Sequence, residues 1–273
     1  HSPFDFPIED TAAYRAADMP LPETSTEDDR WVPAIFKDLT EKDKRGIVAS
    51  YYTSVSHLDK NVGRILSHLD TLGLSDSTLV IYIGDQGYLL GHHKRFEKHM
   101  MWEPAIHAPL IMQGGSQLAA GAERVALTEF VDLTPTILDA LGVTPLSSVQ
   151  GKSLWPVVTG EQTEHKEQVF SEFLSDNKAM IRTDRWKYIF TTGKRDLGQG
   201  YATGNSPSGI LHRLYDLEND PNELRDVAGV PENQPILEDM QSRMIALFRE
   251  THPKADSIPP GLSVEEQLVL FCE

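Results

Sequence analysis

Apolar residues recur every three to four positions through Val48, Tyr52, Val55, Leu58, Val62, Ile65, Leu66, Leu69 and Leu72. That spacing predicts one face of a long amphipathic helix. Thr40, with Asp43 on the next turn, reads as a capping box at its start, and Gly73 is placed to stop it. The pattern then changes. Val80, Ile81 and Ile83 form a short, β-branched apolar run, and APLIM at 108–112 forms another; both read as buried strands. A further helix is predicted to start at Thr134–Pro135, with Thr as cap and Pro in the first turn. Ile137, Leu138 and Leu141 line it and Gly142 ends it. Helix feeding strand through a short link is the rhythm of an α/β fold with a doubly wound, mostly parallel sheet. The loop-rich QGKSLWPVVTG stretch at 150–160 closes this part.

From about residue 164 the runs become shorter. Val169–Phe173, Ala179–Arg182, Trp186–Phe190 and Arg213–Leu217 are strand candidates bounded by Asp, Asn, Gly and Pro, the pattern of an antiparallel sheet. A helix is predicted over 235–249, with Ile236, Met240, Met244, Leu247 and Phe248 on one face. The chain therefore divides into an α/β part, 1–163, and a smaller sheet-and-helix subdomain, 164–273. Two stretches have no apolar period. Residues 1–40 are Pro-rich, with an acidic patch at Glu27, Asp28 and Asp29. Thr191–His212 is Gly-rich, and loops of that length are commonly functional or disordered; Lys194, Arg195, Tyr201 and Asn205 are its candidate ligand contacts.

Charge sharpens the picture. The net charge is −16 over 273 residues, which argues against nucleic acid as a partner. Against that background His92, His93, Lys94, Arg95, Lys98 and His99 stand out as the local positive charge that an anionic substrate needs. Just before them, where a buried strand would deliver functional side chains, lie Asp85 and Gln86. A carboxylate beside an amide oxygen suits a hard cation such as Ca²⁺ or, second, Mg²⁺. Each residue alone has a plainer reading: a strand-end turn for Asp85, a surface lysine for Lys98, a structural histidine for His93. The single cysteine, Cys272, allows no internal disulfide and says little about compartment. No window approaches the apolar length of a membrane span.

These residues carry a resemblance. Asp85-Gln86-Gly87, Leu90-Gly91-x-His93, Lys98 and Met101-Trp102-Glu103 closely resemble the second half of the active site of type I sulfatases, formylglycine-dependent enzymes of the alkaline-phosphatase superfamily. His1-Ser2-Pro3-Phe4 is similar to the family's His-x-Pro-Phe loop. HAPLIM, VDLTPTILDALGV, QGKSLWPVVTG, RTDRWKYIF and LYDLENDPNELRDVA resemble later family segments in the same order. The resemblance implies a sulfuric ester hydrolase acting on a sulfated small molecule or carbohydrate, with Asp85 and Gln86 as Ca²⁺ ligands. It makes Lys98 a sulfate-binding and charge-stabilising group, His1 a substrate contact and general acid, and His93 a substrate contact. Its members are mostly exported or lysosomal.

Gly84 replaces the family's usual Ser, and Lys94 its usual Gly. The nucleophile segment Cys/Ser-x-Pro-x-Arg has no match in this chain, nor do the family's upstream Asp-Asp metal segment and Lys-x-His. The chain, which opens on His1 rather than Met, thus reads as a C-terminal half whose formylglycine lies in a missing N-terminal half. Two rivals remain. A phosphate or phosphonate ester hydrolase of the same superfamily is disfavoured by Gln86, because an amide oxygen suits Ca²⁺ better than Zn²⁺. A truncated, non-catalytic binding module is the other.

Overall fold

The computed structural model describes residues 4–7, 10, 13–114, 117–173, 177–192 and 209–272. It divides into two compact units, His1–Lys98 with Pro104–Leu118, and His99–Glu103 with Ala119–Glu273.

In the first unit a short helix α1 (Ala34–Lys37) precedes the long α2 (Glu41–Thr71). The capping box forms as predicted: Asp43 N–H donates to Thr40 Oγ1 at 3.2 Å and Thr40 N–H to Asp43 Oδ2 at 3.0 Å. Gly73 follows the helix with φ +68°, the left-handed conformation that glycine adopts at least cost. Val48 and Ala49 of α2 pack with Met19, Val32, Phe36 and Phe96.

Strands β1 (Val80–Ile83) and β2 (Leu110–Gln113) pair antiparallel, Val80 opposite Gln113 and Ile83 opposite Leu110. The α/β class holds, while this pair runs opposite to the parallel arrangement expected for it. The backbone bonds supply the reason. Pairing continues past the strand ends, from Gly84 N–H to Pro109 O (3.1 Å), Gly87 N–H to Ala105 O (2.9 Å), Leu89 N–H to Glu97 O (2.7 Å) and Gly91 N–H to Arg95 O (2.9 Å). Residues 80–113 thus form one long hairpin excursion, interrupted on the return arm by helical turn α3 (Glu103–Ile106). A parallel connection needs a crossover packed on the sheet face, and this segment turns back instead. Nor are these strands fully covered: Ile83, Leu110 and Ile111 are 36%, 37% and 62% exposed.

In the second unit α4 (Leu133–Ala140) begins two residues earlier than predicted. The start is set by a reciprocal Glu129–Asp132 box around a 3₁₀ turn, not by Thr134. Asp132 is buried and accepts from Lys152 N–H at 2.9 Å, while Thr136 Oγ1 accepts from Leu154 N–H at 2.7 Å. These bonds seat the loop after Gly151. They lead into α5 (Trp155–Thr159), a helix in a stretch that reads as loop.

Strands β3 (Val169–Phe173), β4 (Lys178–Arg182), β5 (Trp186–Thr191) and β6 (Leu211–Asp216) form the predicted antiparallel sheet in sequence order. One face, through Ala179, Ile181, Tyr188 and Phe190, packs on α6 (Gln234–Thr251) and α7 (Val264–Cys272). The opposite face is buried too, but polar. Lys178 Nζ donates to His99 O at 2.7 Å, and Lys187 Nζ lies 2.8 Å from Glu223 and 3.3 Å from Glu103. Arg182 meets Glu103 at 2.9 Å, and Trp102 Nε1–H donates to the Tyr215 hydroxyl at 3.2 Å. Residues 99–103 are thereby seated on this sheet. Among the described residues, no helix is long and apolar enough to cross a membrane.

Candidate functional site

The hairpin excursion places the candidate residues. Asp85 and Gln86 follow β1 between two backbone bonds, Gly84 to Pro109 and Gly87 to Ala105. Only glycine fits at position 87, because a Cβ there would stand 2.2 Å from Pro104 O. Lys98 follows Glu97 on the returning arm of the excursion, and the Glu97 carbonyl accepts from Leu89 N–H. Asp85 is exposed, Gln86 and Lys98 half-buried. Among the described residues none of the three side chains is engaged in a hydrogen bond or ion pair. An unpaired carboxylate, amide and ammonium on one short loop are free to meet a ligand.

Their neighbours are not free. His93 is 2% exposed, and its Nδ1 lies 2.8 Å from Asp28 Oδ1. Lys94 Nζ donates to Asp29 Oδ1 at 2.6 Å. Arg95 forms a buried pair with Glu97 and donates to the Trp31 carbonyl. His99 stacks on Phe173 with ring centroids 5.7 Å apart. The basic cluster is therefore no field of open side chains: three of its members, His93, Lys94 and Arg95, have acidic partners nearby, and Lys94 adds no loose cation. His92 is half-buried with an unpartnered Nδ1, and burial, then the adjacent His93, lowers its pKa and favours the neutral ring.

Asp28 and Glu97 are the residues sequence reasoning missed. The acidic patch was visible, but no spacing rule links positions 28 and 93. The structure also commits Asp28 and Asp29 to this loop. His1 lies outside the described residues, as do Lys194, Arg195, Tyr201 and Asn205. Phe4 packs edge-on against Tyr51 (5.3 Å) and against Tyr88 (5.5 Å), which lies three residues past Asp85. Among the described residues no three His, Cys, Asp or Glu side chains converge as a metal site. Asp85 and Gln86 offer two hard oxygen donors of the 6–8 that Ca²⁺ takes; they fit part of such a shell.

Comparison with known proteins identifies the family of the chain. The sulfatase family model matches residues 1–143, and the model for the C-terminal part of N-sulphoglucosamine sulphohydrolase matches residues 91–250. Human arylsulfatase K is 34% identical over 200 residues, covering 69% of this chain and 35% of the relative. N-acetylglucosamine-6-O-sulfatase of Bacteroides thetaiotaomicron is 29% identical over 231 residues, covering 81% and 38%. The chain thus spans a little over a third of the curated relatives it matches. The structure of BT4656 with its substrate D-glucosamine-2-N,6-O-disulfate aligns with a TM-score of 0.67 at 26% identity, over 81% of this chain and 43% of that one. A phosphonate monoester hydrolase from Silicibacter pomeroyi aligns at 0.77 and 24% identity, over 94% and 55%; at that identity the likeness is one of fold.

Proposed function

The chain belongs to the sulfatase family, and from that premise we propose that it supplies the cation-binding and sulfate-binding half of a sulfuric ester hydrolase. The observation that carries this reading is that, among the described residues, the side chains of Asp85, Gln86 and Lys98 make no hydrogen bond or ion pair, within a loop where His93, Lys94 and Arg95 are paired. In this reading Asp85 and Gln86 hold Ca²⁺, which when bound supplies Lewis-acid charge stabilisation at the sulfate. Lys98 takes a sulfate oxygen through its ammonium and stabilises the charge that builds there as the ester bond breaks. His1 protonates the leaving alcohol oxygen. His93, buried on Asp28, holds the loop in place of meeting substrate. Residues 1–163 form the catalytic part and 164–273 the adjoining subdomain.

No residue of this chain matches the nucleophile segment, so the formylglycine comes from a segment beyond it. The substrate class is a sulfated carbohydrate or small molecule, as the named activities of the relatives support. Gln86 weighs against phosphonate esters: its amide oxygen suits Ca²⁺, whereas transition-metal sites favour imidazole.

The test is direct. The complete enzyme, carrying a Cys/Ser-x-Pro-x-Arg segment, is assayed on sulfate esters and on phosphonate monoesters of the same alcohol, and its metal content is measured. Sulfate turnover with bound Ca²⁺ is expected. Preferential phosphonate turnover with bound Zn²⁺ or Mn²⁺ would overturn the reading.

A further inference from the structure

Lys98 is a flexible side chain with no hydrogen bond or ion pair among the described residues, so its aim depends on the backbone that carries it. That backbone is held by buried charge. Glu97 is 0% exposed and Arg95 1% exposed, and the two pair with each other. Arg95 also donates to the carbonyl of Trp31, and Glu97 O accepts from Leu89 N–H at 2.7 Å. One turn earlier His93, 2% exposed, is tied to Asp28, itself 3% exposed and accepting from Ser25 N–H at 2.8 Å. His93 and Lys94 adopt φ of +52° and +59°, a region unfavourable for side chains of their size that persists where surrounding contacts impose it.

A loop tip that needed only to be tied down would be served as well by apolar packing. Buried ion pairs cost desolvation and often add little net stability over hydrophobic replacements. What they add here is direction: each fixes a partner geometry that a leucine would leave loose. We propose that Glu97 and Asp28 are positioning residues for Lys98, acting through the Arg95 and His93 contacts that set the loop from which the lysine projects. This rests on the reading of Lys98 as the sulfate-binding cation.

The test is a double-mutant cycle in the complete enzyme on an aryl sulfate. Glu97→Gln keeps the side-chain shape and removes the charge. A misplacement of about 1 Å costs roughly 10²-fold, so kcat/KM is expected to fall by that order. Glu97→Gln in a Lys98→Ala background is expected to cost nothing further, because residues that act through one another are not additive. A purely structural role would give additive losses, and that result, or full activity in Glu97→Gln beside a disabled Lys98→Ala, overturns the proposal. If Lys98→Ala alone retains full activity, Lys98 is not the sulfate group; the functional reading then fails first, and the positioning role with it. Should Glu97→Gln not fold by circular dichroism, the same cycle with Asp28→Asn, which retains an acceptor for His93, decides the question.

Discussion

Strands β1–β2 and β4–β5 invert the usual expectation. VIYI and LIMQ in β1–β2 are almost wholly apolar, yet Ile111 is 62% exposed. KAMIR and WKYIFT in β4–β5 carry lysines, yet Lys178 and Lys187 are 2% and 0% exposed. The difference lies in what each pair finds to pack on. The β4–β5 face with Ala179, Ile181, Tyr188 and Phe190 has its own helices, α6 and α7. Its other face has carbonyl and carboxylate partners for every buried lysine: His99 O for Lys178, Glu103 and Glu223 for Lys187. Burial of charge is tolerated when each ion is paired. Apolar content states what a strand needs covered, and it does not supply the cover.

The largest expected consequence is in stability. Phe248 is 1% exposed and stacks on Phe271 at 4.6 Å. Phe248→Ala should cost about 3–5 kcal/mol in urea unfolding, as such truncations do in closed cores. Ile111→Ala, on the open strand, should change stability by less than about 0.5 kcal/mol. Similar losses at both positions would dissolve the contrast.

Next comes activity, within the loop itself. In the complete enzyme Lys98→Ala should lower kcat/KM by about 10²-fold or more, near 3 kcal/mol, as removal of a transition-state donor does. Lys94→Ala should do far less, since that ammonium is occupied by an exposed aspartate and surface pairs of this kind contribute about 0–1 kcal/mol. Equal losses would mean that the paired and unpaired cations have been misassigned.

A smaller effect is expected in metal affinity. Asp85→Ala should weaken Ca²⁺ binding to the complete enzyme by at least about tenfold, or 1.4 kcal/mol, with Gln86→Ala milder because it removes a neutral donor. Calorimetry showing unchanged affinity for Asp85→Ala would remove this loop from the metal site.

The smallest is in pH dependence. Burial, opposed by the hydrogen bond to Asp132, holds His165 below the ordinary histidine range. The folded state therefore stays neutral where the unfolded chain takes up a proton, from about pH 6.5 downward. Stability is full above that pH and falls as pH drops toward the lowered folded pKa. His165→Gln should flatten this part of the acid slope in thermal melts between roughly pH 7 and pH 5; an unchanged slope would show that other groups set it.

What the residue pattern determined alone is what neighbours along the chain determine. The extent of α2, the Thr40–Asp43 box, the glycine stop at Gly73, the order β3 to β6 and the face of α6 all depend on residues a few positions apart, and all were legible; the apolar face of α2 was not, since Tyr52, Val55, Leu58, Ile65 and Leu72 are exposed. The tertiary structure decided the rest. It paired β1 with β2 antiparallel by turning residues 84–109 back along themselves, and it began α4 at a box centred on Glu129 and Asp132. It gave part of the basic cluster partners by bringing Asp28 and Asp29 to His93 and Lys94, each across 65 positions. A helix period is written in local sterics, whereas the partner of a charge depends on which distant segment folding brings within a few ångströms.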